Sequence, residues 1–367
     1  MHKVAIIGAG GIGTAMAVYM TRRGHTVGIW SRSFDPTRDT LPGPLKLTAT
    51  GVVDGSFEVK KLQRLTELEG YPIVIIALPA TAYFDVLPDL AMHLTSQQIV
   101  IFSGSLSLAP LWLHEMARYA GNDPTITAWG TTLLAGSFQQ GGTLHIPFVR
   151  KKFDLASLPC FETANSLDLC KKLFGIEFQA LSSVLDVSLS NINPIAHAGQ
   201  MIGNFSRIDK AEKWKLFENF TPSGVQLANA LDAERLKIAQ AYGAQVRSLQ
   251  RHYALSYAVD EADVATMVKE IDRTGSRTLG PATLNHRYLV EDMPYGLAFL
   301  ERLASRASID VPVLSSVLSI LEVMCKLDIR GGNRILDLVI GARDDKQSII
   351  ERCQGTRTPD LTRALVE

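Results

Sequence analysis

The stretch that most constrains this chain is VAIIGAGGIG at residues 4–13. Val4-Ala5-Ile6-Ile7 is a short, β-branched apolar run and reads as a buried parallel strand. Gly8-Ala9-Gly10-Gly11-Ile12-Gly13 follows at once, and residues 14–23 read as a helix. GxGxxG between a strand and a helix is a specific pattern. Gly8 permits a tight turn, and Gly10, lacking a Cβ, lets a pyrophosphate approach the backbone. Gly13 lets the helix close on its strand. The free N–H groups around Gly11 and Ile12, with the positive end of the helix dipole, then face phosphate oxygens. The first half of the chain is therefore expected to be a dinucleotide-binding α/β unit.

The second strand, residues 26–30, ends in Ser31-Arg32-Ser33. An acidic residue there would bind both ribose hydroxyls of NAD. Here nothing repels a 2′-phosphate, Arg32 can pair with one, and the serines can donate hydrogen bonds. The cofactor read from this segment is NADP(H) in preference to NAD(H). Residues 35–45 form a loop, and 45–59, with Asp54-Gly55, a hairpin edge. Residues 73–78 are a buried strand whose Leu78-Pro79 end precedes a helix over 80–94. Another strand, 98–102, ends in Ser103-Gly104-Ser105. Ligands bind outside such strand ends, so both loops are expected beside the nicotinamide. Residues 125–128 and 144–148 read as further strands, with Trp129-Gly130-Thr131-Thr132 between them expected to line the substrate cleft. A short helix follows at 167–174, and 180–185 is read as the passage to a second domain.

A length of 367 residues suits two domains, placed at 1–185 and 186–367. The fold class is an α/β Rossmann-type doubly wound parallel sheet followed by an all-α C-terminal domain. Lys+Arg and Asp+Glu both total 37, so nothing favours nucleic acid or an anionic membrane as a partner. No apolar run approaches the roughly 18–20 residues of a membrane span. The N-terminus enters a strand directly, without a leader. Cys160, Cys170, Cys325 and Cys353 form no CxxC pair, which suits reduced thiols and a cytoplasmic location. No metal-ligand cluster is expected.

Past residue 186 helical periodicity takes over, and three stretches stand out. The first is Ser190-Asn191-Ile192-Asn193-Pro194-Ile195-Ala196-His197-Ala198-Gly199, in which polar residues and a histidine open an apolar helix. A lone histidine is more often structural than catalytic, but Asn193 and Pro194 make this setting poor core material. In the second, Thr221 caps and Pro222 opens a long helix. Its Asp232-Ala233-Glu234-Arg235 reads as an outer charged face. The third, residues 285–296 (NHRYLVEDMPYG), packs charged and aromatic residues into a shaped turn before an apolar helix at 297–303. Residues 312–324 read as another apolar helix, and 361–366 as a last short one. That tail is read as a cover over the cleft or a dimer contact, so a homodimer is a partner the sequence allows.

GAGGIG, SNINPIAHAG, FTPSGVQLANALDAERLKIAQAYG and NHRYLVEDMPYGL, in this order, resemble the opine dehydrogenases. This is the family of octopine and nopaline dehydrogenases and of bacterial N-(1-carboxyethyl)-norvaline dehydrogenase. The resemblance implies NAD(P)H-dependent condensation of an L-amino acid with a 2-oxo acid, often pyruvate, and the reverse oxidation. It places the catalytic histidine on His197, its aspartate partner on Asp292 and the substrate-carboxylate arginine on Arg287. With Thr131, Thr132 and Asn193 as further substrate contacts, these residues are expected to meet the nicotinamide. The chain departs from relatives at Trp129, Ala135-Gly136-Ser137-Phe138 and Ser103-Gly104-Ser105, which leaves the amino acid open. The competing reading is an amine-independent 2-oxo acid reductase or glycerol-3-phosphate dehydrogenase type, which normally needs a lysine in the helical half. A cofactor-sensing protein without turnover is the other alternative.

Overall fold

A computed structural model describes residues 1–34, 43–274 and 278–356. The chain divides into two compact units, Met1–Ser188 with the stretch from Ile350 onward, and Leu189–Ile349. The division thus lies three residues beyond the expected 185/186 boundary. Residues 350–356, expected in the helical domain, cluster with the first unit. Of the sequence expectations, the helix at 361–366 and most of the 35–45 loop lie outside the described residues.

The first unit is built on one sheet. Its strands are β1 (Lys3–Ile7), β2 (Thr26–Trp30), β3 (Leu45–Gly51), β4 (Gly55–Leu62), β5 (Ile73–Ile76) and β6 (Ile99–Phe102). They continue with β7 (Thr125–Trp129), β8 (Ser137–Phe138), β9 (Leu144–Ile146), β10 (Lys152–Leu158) and β11 (Glu177–Ala180). The spatial order is β11-β10-β7-β6-β5-β1-β2-β4-β3-β9-β8. From β7 through β4 every pairing is parallel. At the edges three pairings are antiparallel: β10 to β7, β8 to β9, and β3 to β4, the last being the hairpin expected around Asp54-Gly55. The central strands read as continuous apolar runs because helices cover both faces, and all four residues of β5 are buried.

The covering helices are α1 (Gly11–Arg22), α2 (Tyr83–Met92), α3 (Ala109–Tyr119) and α4 (Thr163–Phe174). The first begins at Gly11, three residues before the sequence expectation, with Gly10 extended at its N-cap. Trp129, expected in the cleft, is a core residue with no exposed surface. Its ring meets Phe153 and Phe174 edge-on and tilts against Phe178. The strand alternation of β7, with β10 and β11 beside it, turns the indole into the sheet's packed face. β10, β11 and α3 were not legible beforehand.

The second unit is all-helical. α5 (Val184–Leu189) leads into α6 (Asn193–Ile202), α7 (Phe205–Asp209), α8 (Pro222–Ala241), α9 (Leu249–Tyr257) and α10 (Val264–Arg273). A π-helix (Tyr288–Ala298) follows, then α11 (Phe299–Arg306), α12 (Pro312–Cys325) and α13 (Leu336–Val339); α14 (Lys346–Gln354) straddles the division, its residues from Ile350 on belonging to the first unit. Thr221 caps α8 as expected, its hydroxyl accepting from the Gly224 N–H. The charged 232–235 stretch, however, is not an outer face, since Asp232, Glu234 and Arg235 are buried. Arg235 is held by Asp232 and by the Leu189 and Arg247 carbonyls. Glu234 accepts the Val313 and Leu314 N–H groups at the start of α12. Charges this fully partnered can leave water, a condition that sequence periodicity does not register.

At its end the chain returns to the first unit. Arg352 there makes a two-pronged pair with Glu115 of α3, both bonds 2.7 Å and both residues nearly buried. Among the described residues no helix is long and apolar enough to cross a membrane. No group of three or more His, Cys, Asp or Glu gathers there as a metal would require.

Candidate functional site

In the first unit the predicted cofactor residues gather at the carboxyl ends of the parallel strands. Gly8 has φ +113°, and a Cβ on it would lie 2.5 Å from the Ala77 carbonyl oxygen. A Cβ on Gly13 would meet the Gly8 oxygen at 2.0 Å, so α1 closes on β1 only with glycine there. Gly10 differs, since a Cβ on it would project into open space. No side chain caps α1, and helix geometry leaves the N–H groups of its first turn without internal partners. A bare backbone cradle with unpaired donors fits a dinucleotide pyrophosphate. At Gly11 a Cβ would meet the Gly136 oxygen at 2.1 Å. The 136–137 backbone thus lies directly against the start of α1, beside Ile12.

Leu78 is half-buried against Gly8, and Pro79 is exposed. After β2, the Ser31 and Ser33 hydroxyls share a hydrogen bond of 2.9 Å. Arg32 is exposed and reaches Asp85 of α2 at 3.6 Å, a pairing that solvent makes weak. The loops after β6 and β7 pack on one another. Gly104 has φ +78°, and a Cβ there would lie 3.1 Å from Thr132 Cγ2. Arg150 Nε donates to the Thr132 carbonyl at 3.1 Å. Thr131 and Thr132 are both part-exposed, and they belong to this unit, not to the one holding the other predicted substrate contacts.

In the second unit, three stretches distant in sequence build one site. Asn193 opens α6, its N–H donating to Asn191 Oδ1 at 3.0 Å, with Pro194 in the first turn. His197 sits one turn further on. Asp292 comes from the π-helix, and its Oδ2 lies 2.8 Å from His197 Nδ1. A carboxylate only accepts, so Nδ1 donates and the Nε2 lone pair is left available. Asp292 is buried, and its Oδ1 has no hydrogen-bond partner among the described residues.

Glycines set this meeting. A Cβ on Gly296 would lie 2.2 Å from Pro194 Cγ, so the π-helix touches the start of α6 only because position 296 is bare. On another side of α6, a Cβ on Gly199 would meet the Gly224 oxygen of α8 at 2.5 Å. The helix carrying His197 is therefore gripped at two points, by residues from the two other segments. Sequence reading singled out all three segments but not these contacts; their signal was glycine in otherwise helical runs. The segment at 285–296 is also not the expected turn before a helix. From Tyr288 onward it is itself helical, wound wide around Pro294, which has no N–H to give. Asn333 Nδ2 donates to the Pro294 carbonyl at 3.1 Å. Such widened turns recur at functional sites.

Arg287 immediately precedes the π-helix. Its side chain is exposed and makes no hydrogen bond or ion pair among the described residues. Burial by the surrounding protein works against its charge, but Asp292 and then Glu291 outweigh this and raise its pKa. A free guanidinium fork beside a His/Asp pair suits a planar carboxylate. The His286 pKa is lowered by burial, then by its neighbours His197 and Arg287.

Comparison with known proteins agrees with this layout. Residues 180–325 match the family described as NAD/NADP octopine/nopaline dehydrogenase, alpha-helical domain. Residues 4–105 match the ketopantoate reductase PanE/ApbA family. An opine dehydrogenase of Arthrobacter sp. (strain 1C) is 24% identical over 337 residues, spanning 91% of this chain and 93% of its own. The fold superposes on octopine dehydrogenase with NADH and L-arginine at a TM-score of 0.77, with 14% identity and 98% and 99% of the two chains covered. Yersinopine dehydrogenase with NADP+ bound gives 0.66, with 14% identity and 99% and 97% covered.

Proposed function

We propose that this chain, which belongs to the opine dehydrogenase family, condenses an L-amino acid with a 2-oxo acid, pyruvate foremost, and reduces the product to an N-(1-carboxyalkyl)amino acid. The same site runs the oxidation in reverse. The observation that carries the reading is the 2.8 Å His197–Asp292 contact with Arg287, unpaired among the described residues, five residues before the aspartate. Arg287 holds the oxo-acid carboxylate and so fixes the adjacent carbonyl carbon. His197 Nε2 takes a proton from the amino acid's ammonium group, freeing the nitrogen lone pair for attack on that carbon. Asp292 holds the imidazole in the accepting tautomer and stabilises the imidazolium. The added nitrogen passes one proton to the new alkoxide and the imidazolium returns its own to the resulting hydroxyl, so one water leaves and a protonated C=N bond forms. A nicotinamide cofactor, when held by the glycine turn of the first unit, would supply the hydride for its reduction. Asn193, Thr131 and Thr132 are assigned to substrate contact, and Gly8, Gly10, Gly11, Ile12, Gly13, Leu78 and Pro79 to the cofactor.

NADP(H) is the preferred cofactor in this reading. Ser31-Arg32-Ser33 offers a guanidinium and two hydroxyls where NAD binding wants a carboxylate. Family members are known with either cofactor, octopine dehydrogenase with NADH and yersinopine dehydrogenase with NADP+. A cytoplasmic location and a homodimer complete the reading; the four cysteines are free thiols, which suits that compartment.

The test is cofactor oxidation in a screen of amino acids crossed with pyruvate, glyoxylate and 2-oxoglutarate. Consumption that requires both substrates is expected, with kcat/KM higher for NADPH. Consumption by an oxo acid alone would move the assignment to the ketopantoate reductase type, which the match over residues 4–105 makes the runner-up.

A further inference from the structure

The His197 imidazole has a second neighbour. The Tyr288 ring lies flat against it, centroids 3.5 Å apart and planes 16° from parallel. Tyr288 and Asp292 stand four residues apart on the π-helix, so one helix holds the imidazole by its edge and by its face. Tyr288 is buried and is itself fixed. Its N–H donates to His286 Nδ1 at 3.3 Å, and the His286 ring stands edge-on to it at 4.5 Å and 90°. From α9, Tyr253 packs edge-on with Tyr257 at 5.4 Å, and Tyr288 lies near enough to act on the Tyr253 phenol.

We propose that Tyr288 is a positioning residue: its ring keeps the His197 imidazole in the plane that joins Nδ1 to Asp292. A lone hydrogen bond at Nδ1 leaves the ring free to swing about that contact, and a flat partner removes this freedom. Burial, followed by Asp292, raises the Tyr288 pKa, so the phenol stays uncharged near neutral pH.

The consequence for turnover rests on the opine dehydrogenase reading, but the decisive test does not. The experiment follows the His197 ring resonances of the full chain, labelled at histidine and assigned by their loss in His197→Gln. In the wild type the stack predicts ring-current upfield shifts of the ring protons. Tyr288→Leu and Tyr288→Met remove the flat face, and each is expected to speed solvent exchange of the Nδ1–H proton by about 2- to 12-fold. Tyr288→Phe keeps the face and is expected to exchange with the wild type. Wild-type shifts without ring-current displacement overturn the proposal. So does an unchanged exchange rate in a folded Leu or Met variant, or a Phe variant that exchanges as fast as Leu. If the exchange rates move as expected but no amino acid and oxo acid pair turns over, the functional reading fails and the stack stands.

Discussion

Asp292→Asn separates the two jobs given to that carboxylate, and the structure fixes what the amide must do. Asp292 Oδ2 takes the His197 Nδ1 proton at 2.8 Å, while Oδ1 is buried with no partner. A carboxamide has two ways to sit there. With its oxygen toward Nδ1, its NH2 occupies the Oδ1 position, where no acceptor waits; a buried donor left unpaired costs about 1–3 kcal/mol. With its NH2 toward Nδ1, that penalty vanishes, but the imidazole proton must move to Nε2. The second arrangement is therefore preferred, and it takes away the lone pair that accepts the substrate proton. At 1.36 kcal/mol per tenfold, holding the enzyme in the wrong tautomer costs about 5- to 150-fold in rate. Loss of a charge-assisted bond to the imidazolium, about 1.5–3 kcal/mol, adds to this, so kcat should fall by about 10² to 10⁴. Because the amide still makes one hydrogen bond, Tm should move by only a few degrees. Nitrogen-15 shifts of the His197 ring report the tautomer directly, and the coupled oxidation assay reports kcat. A ring still protonated at Nδ1, together with kcat within threefold of the wild type, would refute the reasoning.

Three further outcomes follow from the same geometry. Gly10→Ala should fold with near wild-type Tm, since its Cβ enters open space, yet bind cofactor at least tenfold more weakly. Gly13→Ala, whose Cβ would lie 2.0 Å from a backbone oxygen, should lower Tm instead. Calorimetry and a cofactor-fluorescence titration distinguish the pair, and equal behaviour would count against the pyrophosphate cradle. Gly296→Ala drives a Cβ to within 2.2 Å of Pro194 Cγ. It should cost about 1–3 kcal/mol in denaturant unfolding and weaken the His197 Nδ1–H signal as the two helices part; an unchanged midpoint would show that the contact is slack. Finally, His114 is buried, and burial lowers its pKa to about 4, against the help of Asp123. The unfolded chain then binds a proton near pH 6.5 that the folded one refuses until about 4. Stability is full above 6.5 and should fall by on the order of 2–3 kcal/mol as pH drops to 4. His114→Gln should flatten that part of the stability–pH curve, and a curve of unchanged slope would contradict it.

Much of the site's vocabulary was legible in the chain, because local chemistry wrote it. GxGxxG behind a β-branched run specifies a strand, a turn and a helix start within ten residues, and Thr221-Pro222 specifies another helix start. Backbone geometry there depends only on near neighbours, so period and capping suffice. His197 and Asp292 could be named from matched motifs, but their meeting spans 95 residues and depends on Gly296 admitting Pro194 and Gly199 admitting Gly224. Packing between distant segments decided the rest. It turned Trp129 into the core, buried the 232–235 charges against partners supplied from elsewhere, and wound the expected turn before residue 297 into a π-helix. It also brought Arg352 back to Glu115, 237 positions away. A residue's type carries its own propensity; which group will neutralise its charge, cover its ring or stand where its Cβ would be is known only once the chain has closed on itself.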